Sequence, residues 1–226
     1  MSLVDKYKKP LIYFGAFLVF TLLIKFVDVR QIGPKATSVG FGLINGFFHN
    51  LLGFNTFLYK ISSILGYIAL LPVALFTYIG AVQLMQRKDL MKVDRDILIL
   101  GGFYIVVFAL YILFDHIPIN YRPVLIDGEI ELSYPSSHTL MSICVMMTAW
   151  YELNWRLKNS SMKKGILVAC LVLMVLVVLT RFLSGVHWFT DIIGSIILSA
   201  SLVSAFEIAT RDTKIRNRKK RKKAVN

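Results

Sequence analysis

Gly165 to Asp191 reads GILVACLVLMVLVVLTRFLSGVHWFTD. From Gly165 to Leu183 the run is almost wholly apolar and close to the roughly 20 residues that a helix needs to cross a bilayer core. It closes on a turn, Phe182-Leu-Ser-Gly-Val, where Gly185 lets the backbone bend. Around that turn stand an arginine, a histidine and an aspartate: Arg181, His187 and Asp191. A second apolar run, Trp188 to Phe206, leads away. This stretch therefore predicts two membrane helices joined by a short turn that carries chemistry.

Working outward, the same apolar pattern recurs at Pro10 to Ile24, Ile61 to Met85, Ile97 to Phe114 and Ser136 to Trp155. The chain of 226 residues is 56% hydrophobic and only 17% charged, which excludes an ordinary soluble domain. The expected fold is all-α: a polytopic membrane protein built as a six-transmembrane-helix bundle. The first run is long and closes without a small-residue cleavage site, so it is expected to be the first span rather than a signal peptide. Residues 1–210 are expected to form the six-span domain, and 211–226 a basic tail. Cys144 and Cys170 fall inside spans and show neither a disulfide framework nor zinc spacing.

The net charge of +13 is unevenly spread. Lys6, Lys8 and Lys9, then Arg87, Lys88, Lys92 and Arg95, then Arg156, Lys158, Lys163 and Lys164, and finally the tail from Arg211 to Lys223 all mark one side. The opposite loops hold Arg30, Lys35, Arg122 and Arg181. Basic loops stay in the cytoplasm. Both termini are thus expected inside the cell membrane, and the turn with His187 outside. The tail from Lys214 to Lys223 resembles a nucleic-acid patch in isolation. Beside a span it is expected to meet anionic lipid headgroups, with no nucleic-acid partner. Nothing in the sequence speaks to oligomeric state.

The long loop from Asp28 to Thr56 contains an apolar but glycine-rich half, too broken for a span. It predicts an outer-surface interfacial helix between spans one and two, with Phe47, Phe48, Leu51 and Leu52 dipping into lipid. His49 there reads as a surface histidine. Pro72 is expected to kink the second span.

Three segments on the expected outer side carry the chemistry. His187 and Asp191 are four apart and share a helix face. A carboxylate on one ring nitrogen fixes the tautomer and leaves the other as a nucleophile. Taken alone, such a pair also serves as a structural tie between helices. Arg181 offers planar donors to a phosphate, or simply snorkels at the interface. Pro135-Ser136-Ser137-His138 opens a span. A serine cap and free backbone N–H groups make a helix start that attracts anions, with the Ser136 hydroxyl beside it and His138 placed to protonate a leaving oxygen. Arg122-Pro123 lies in the preceding loop, near the acidic Asp127, Glu129 and Glu131, which are expected to form a solvated turn.

Together these segments resemble the signature of the type 2 phosphatidic acid phosphatase superfamily: Lys-x6-Arg-Pro, Pro-Ser-Gly-His and Ser-Arg-x5-His-x3-Asp. The third is here Thr180-Arg181-x5-His187-x3-Asp191, the second Pro135-Ser136-Ser137-His138. The first keeps Arg122-Pro123 but has Asp115 where the lysine belongs. The resemblance implies that His187 attacks phosphorus and Asp191 orients it. His138 acts as the acid, and Arg122, Arg181, Ser136 and Ser137 hold the phosphoryl oxygens. It implies no cofactor and no metal. Its implied substrate is a membrane lipid: undecaprenyl diphosphate, which would tie the protein to cell-wall synthesis, phosphatidylglycerol phosphate, or phosphatidic acid.

The lost lysine keeps two other classes in view. One is a phosphotransferase in which an acceptor alcohol replaces water; the other is a catalytically weak lipid-binding pseudo-phosphatase. Lys60, at the start of span two, is the expected substitute for the lysine.

Overall fold

The computed structural model describes residues 3–225. The side chains of residues 3, 212 and 214–225 fall outside that description, and with them the basic side chains from Lys214 to Lys223 expected to bind anionic headgroups. The described residues form eight α-helices: α1 (Leu3–Phe26), α2 (Gly42–Leu52), α3 (Thr56–Ile68), α4 (Leu71–Arg87), α5 (Arg95–Phe114), α6 (Ser137–Arg156), α7 (Ser161–Leu183) and α8 (Phe189–Val225). Between α1 and α2 lies one antiparallel pair of two-residue strands, Arg30–Gln31 and Ser38–Val39.

Five stretches are long and apolar enough to cross a membrane: Val4–Phe26, Thr56–Arg87, Arg95–Phe114, Ser161–Leu183 and Phe189–Arg211. α6 is 20 residues long and completes the six-helix bundle. It is more polar because it lies in the middle. Thr139, Ser142, Thr148 and Glu152 of α6 are buried against protein rather than lipid, where polar groups find partners. Thr148, for example, donates to the Cys144 carbonyl at 2.8 Å. Around the outside, large apolar side chains such as Phe57, Ile105 and Val168 stand exposed. A surface of that kind requires lipid, not water.

The second span is interrupted just before Pro72, as expected. α3 ends at Ile68 and α4 restarts at Leu71. Pro72 sits in the first turn of α4, where a missing N–H costs nothing. Asn55 caps α3 by accepting from the Leu58 N–H at 3.0 Å, and Ser160 caps α7 by accepting from the Lys163 N–H at 3.1 Å.

The expected interfacial helix is α2, with Phe47 and Leu51 exposed. Phe48 departs from expectation: it turns inward and packs on Phe189 and Phe182, with ring centroids 4.6 and 5.4 Å away. Asn45 bonds to Thr190 in both directions, its amide nitrogen donating to the hydroxyl at 2.9 Å and its oxygen accepting from the Thr190 N–H at 3.2 Å. These contacts seat α2 on the start of α8. Gly185, at φ +67°, turns the chain between α7 and α8. A Cβ there would lie 1.8 Å from the Gly53 carbonyl oxygen, so only glycine lets the turn meet the loop after α2. α1 is fastened to the site end by Thr21, whose hydroxyl lies 2.8 Å from that of buried Tyr134.

Candidate active site

The ends of α5 and α7 and the starts of α3, α6 and α8 converge at one end of the bundle. The loop from α5 to α6 folds back over them. It is stiffened by bridges between Tyr121 and Leu132 and between Ile126 and Glu129, the latter around a turn at Asp127-Gly128.

His187 and Asp191 are both buried, and His187 Nδ1 lies 3.5 Å from Asp191 Oδ2. The same carboxylate is held in place by the Trp188 N–H at 3.0 Å and by the Asn120 amide at 3.3 Å. Both His187 ring nitrogens are buried without a hydrogen-bond partner, and a proton on Nδ1, the nitrogen facing the carboxylate, would leave Nε2 its lone pair. Burial, reinforced by the charges of Arg122, Arg181 and His138, holds this imidazole well below its ordinary pKa. The ring is therefore held neutral.

His187 shares a polar cavity of about 30 Å³ with Arg122, Ser137 and Asp115. Arg122 Nε lies 2.9 Å from Glu131 Oε2, and its Nη1 is buried without a partner. Asp127 and Glu129 are exposed as expected of a solvated turn; Glu131 is instead engaged by the arginine. Arg181 is almost fully buried, with no carboxylate within 4 Å among the described residues. Its Nη2 lies 2.7 Å from His138 Nδ1, its Nη1 donates to Ser62 at 3.1 Å, and its Nε has no partner. A guanidinium only donates. His138 Nδ1 must therefore accept, and Nε2 bears the proton.

The two serines divide differently from expectation. Ser136 is the N-cap residue of α6, but its side chain makes no cap bond. Its hydroxyl is buried and donates to Thr139 at 3.1 Å. Ser137, not Ser136, lines the polar cavity. The first-turn N–H groups of α6 remain available to an anion. A second, largely apolar cavity of about 240 Å³ adjoins, lined by Gly66, Leu70, Met141, His138 and Ser137. Ser137 belongs to both cavities, and His138 stands on the apolar side.

Asp115 lines the polar cavity and has no basic side chain within 4 Å among the described residues. Lys60 and Lys35 are exposed and line neither cavity, so the expected substitute for the missing lysine is not there. His49 is half-buried and leans on Trp188, ring centroids 5.4 Å apart. Sequence reasoning missed Asn120, Ser62 and Tyr59. The last two are ordinary residues of an apolar helix, and Asn120 sits at no motif spacing.

A neutral histidine beside an aspartate, a second histidine with its proton on Nε2 and two arginines with free donors form an arrangement suited to phosphoryl transfer. Residues 102–212 match the model of the PAP2 superfamily. That stretch holds every motif residue of this site, and the resemblance drawn from the three motifs is borne out there. Among solved structures, the chain is similar to the transmembrane PAP2-type phosphatidylglycerolphosphate phosphatase from Bacillus subtilis. The two share 23% identity with a TM-score of 0.56, over 92% of this chain and 97% of that one. At that identity the likeness is one of fold. No curated protein matches the chain. The superfamily match and the fold support a multi-pass membrane protein and, in general terms, a lipid phosphatase.

Proposed function

We propose that the protein hydrolyses a phosphomonoester or diphosphate lipid through a phosphohistidine on His187. The observation that carries this reading is the buried His187, its two ring nitrogens without hydrogen-bond partners, standing 3.5 Å from the Asp191 carboxylate in one cavity with Arg122. The Nε2 lone pair attacks phosphorus and the bond to the lipid oxygen breaks. Once the phosphate draws the Arg181 guanidinium off Nδ1, His138 takes up a second proton there, and the resulting imidazolium gives its Nε2 proton to the departing oxygen and becomes neutral. Asp191 balances the charge of the phosphorylated imidazolium. Free donors on Arg122 and Arg181, with the N–H groups at the start of α6, take the equatorial oxygens. His138, now bearing a lone pair, removes a proton from water. That water attacks the phosphohistidine, releases phosphate and restores His187.

The apolar cavity beside His138 suits the lipid side of the scissile bond. The distribution of lysine and arginine supports a site at the outer leaflet with both termini in the cytoplasm. Undecaprenyl diphosphate, phosphatidylglycerol phosphate and phosphatidic acid are the substrates this reading names.

A second reading draws on Asp115. A carboxylate in the phosphate cavity, with no lysine to offset it, weakens attraction for a dianion. It leaves room for an acceptor alcohol to replace water in a headgroup transfer. The test is phosphate release by purified protein in detergent, with chelator present, from a panel of lipid phosphates beside His187→Ala. Release that disappears in the variant is the expected result. A new phospholipid in place of free phosphate would favour transfer, and no turnover of either kind would overturn both readings.

A further inference from the structure

We propose that one face of α3, which lies outside the superfamily match, positions the acid of the reaction. Tyr59, Ser62 and Gly66 hold Arg181 and His138 in register. The proposal rests on the phosphohistidine reading above.

Tyr59, Ser62 and Gly66 are spaced three and four residues apart and so share one side of the helix. The Ser62 hydroxyl is fully buried and spends its proton on the Tyr59 carbonyl at 2.7 Å. Its lone pairs are therefore turned outward, and one accepts from Arg181 Nη1 at 3.1 Å. The Arg181 guanidinium carbon stands 5.1 Å from the centre of the Tyr59 ring, within cation–π range. No carboxylate shares this task, so the helix neutralises nothing; it orients. With Nη1 and the guanidinium plane fixed, Nη2 is aimed at His138 Nδ1. That bond makes His138 the tautomer with its proton on Nε2.

One turn further along, Gly66 completes the seat. A Cβ at this position would fall 2.7 Å from His138 Cδ2, closer than carbon atoms approach. The imidazole edge thus lies directly against the α3 backbone. Three residues of no motif form one side of the general acid's socket, and they act through Arg181 and His138 rather than on substrate.

A positioning defect at the acid has a signature that general destabilisation lacks. An alkyl leaving group needs the proton; 4-nitrophenolate does not. Because His138 also serves the second step, the experiment compares the burst of leaving-group release, the first step alone, from a lipid phosphomonoester and from 4-nitrophenyl phosphate with the full chain in detergent. The variants are Ser62→Ala, Gly66→Ala, Tyr59→Leu and Tyr59→Phe, and His138→Ala sets the full size of the split. Ser62→Ala and Tyr59→Leu are expected to lose about tenfold on the lipid while keeping most of the aryl rate. Gly66→Ala should approach the His138→Ala split. Tyr59→Phe, which keeps the ring but removes the hydroxyl facing Arg181, should lose less than Tyr59→Leu. Equal fractional losses on both substrates, or none, would overturn the proposal while leaving the phosphatase reading intact. Absence of His187-dependent turnover of either substrate by the wild-type protein would instead overturn that reading, and this proposal with it.

Discussion

Buried charge collects at both ends of this bundle, and the two collections are built on opposite principles. Away from the site, Arg156 faces Asp96 at 2.6 Å, and Asp94 and Glu152 at 3.4 Å each, while Arg87 reaches Asp94 at 3.0 Å. Every carboxylate there has an arginine within 3.4 Å. At the site, Arg181 has no carboxylate within 4 Å among the described residues, and Arg122 has Glu131 on Nε at 2.9 Å while its buried Nη1 is left over. Paired charge staples α4, α5 and α6 together. Unpaired charge is the half of an ion pair that a phosphate would complete. The difference teaches how to tell a structural polar core from a binding one when both are buried.

Four measurements would break or sharpen that contrast. The largest effect is expected from His187→Ala, which should cut turnover by about 10⁴-fold or more in a phosphate-release assay. Residual His187-independent turnover would place the nucleophile elsewhere. Next comes a matched pair. Arg122→Gln should lower kcat/KM by about 10²-fold through lost transition-state contact while leaving Tm nearly unchanged. Arg156→Met should do the reverse, costing about 3–5 kcal/mol of stability in thermal unfolding because it strands buried carboxylates, with KM kept in the surviving fold. Should both variants fail in the same assay, the two ends are not distinct in kind.

A smaller change is expected at Asp115. Asp115→Asn should raise kcat/KM for a dianionic lipid phosphate by about fivefold, the scale of one solvent-screened repulsion. A drop would mean that the carboxylate works for the reaction. The smallest effect concerns pH. A histidine of ordinary pKa near 6.5 is only about one-tenth neutral at pH 5.5. His187, held well below that value by burial and its cationic neighbours, stays neutral there. Phosphohistidine formation in a rapid-quench burst should then proceed at pH 5.5 nearly as fast as at pH 7.5. A tenfold slowing would mark the imidazole as ordinary.

Much of this was legible in the sequence because spacing carries it. Arg181, His187 and Asp191 lie within one turn and one helix start, so local geometry alone brings them together. The apolar runs are similarly local, and α6 emerges even though its central place makes it the most polar of the six. What spacing cannot carry is contact between distant segments. Ser62 meets Arg181 across 119 residues and Asn120 meets Asp191 across 71. Neither residue type is unusual where it stands. Which of Ser136 and Ser137 faces the cavity depends on how Ser136 bonds to Thr139, a choice the Pro-Ser-Ser-His string leaves open. The sequence pointed to α3 for a substitute lysine, and the helix does reach the site, but through its Tyr59, Ser62 and Gly66 face.

Asn45 and Phe48 fasten α2 to Thr190, Phe182 and Phe189, the residues on either side of the reactive pair. The exposed face of α2, with Phe47 and Leu51, is thereby fixed to the turn that holds His187 and Asp191. On the proposed reading, a helix lying on the lipid surface would also set how deep that turn sits, and the bilayer would serve as the ruler of the reaction.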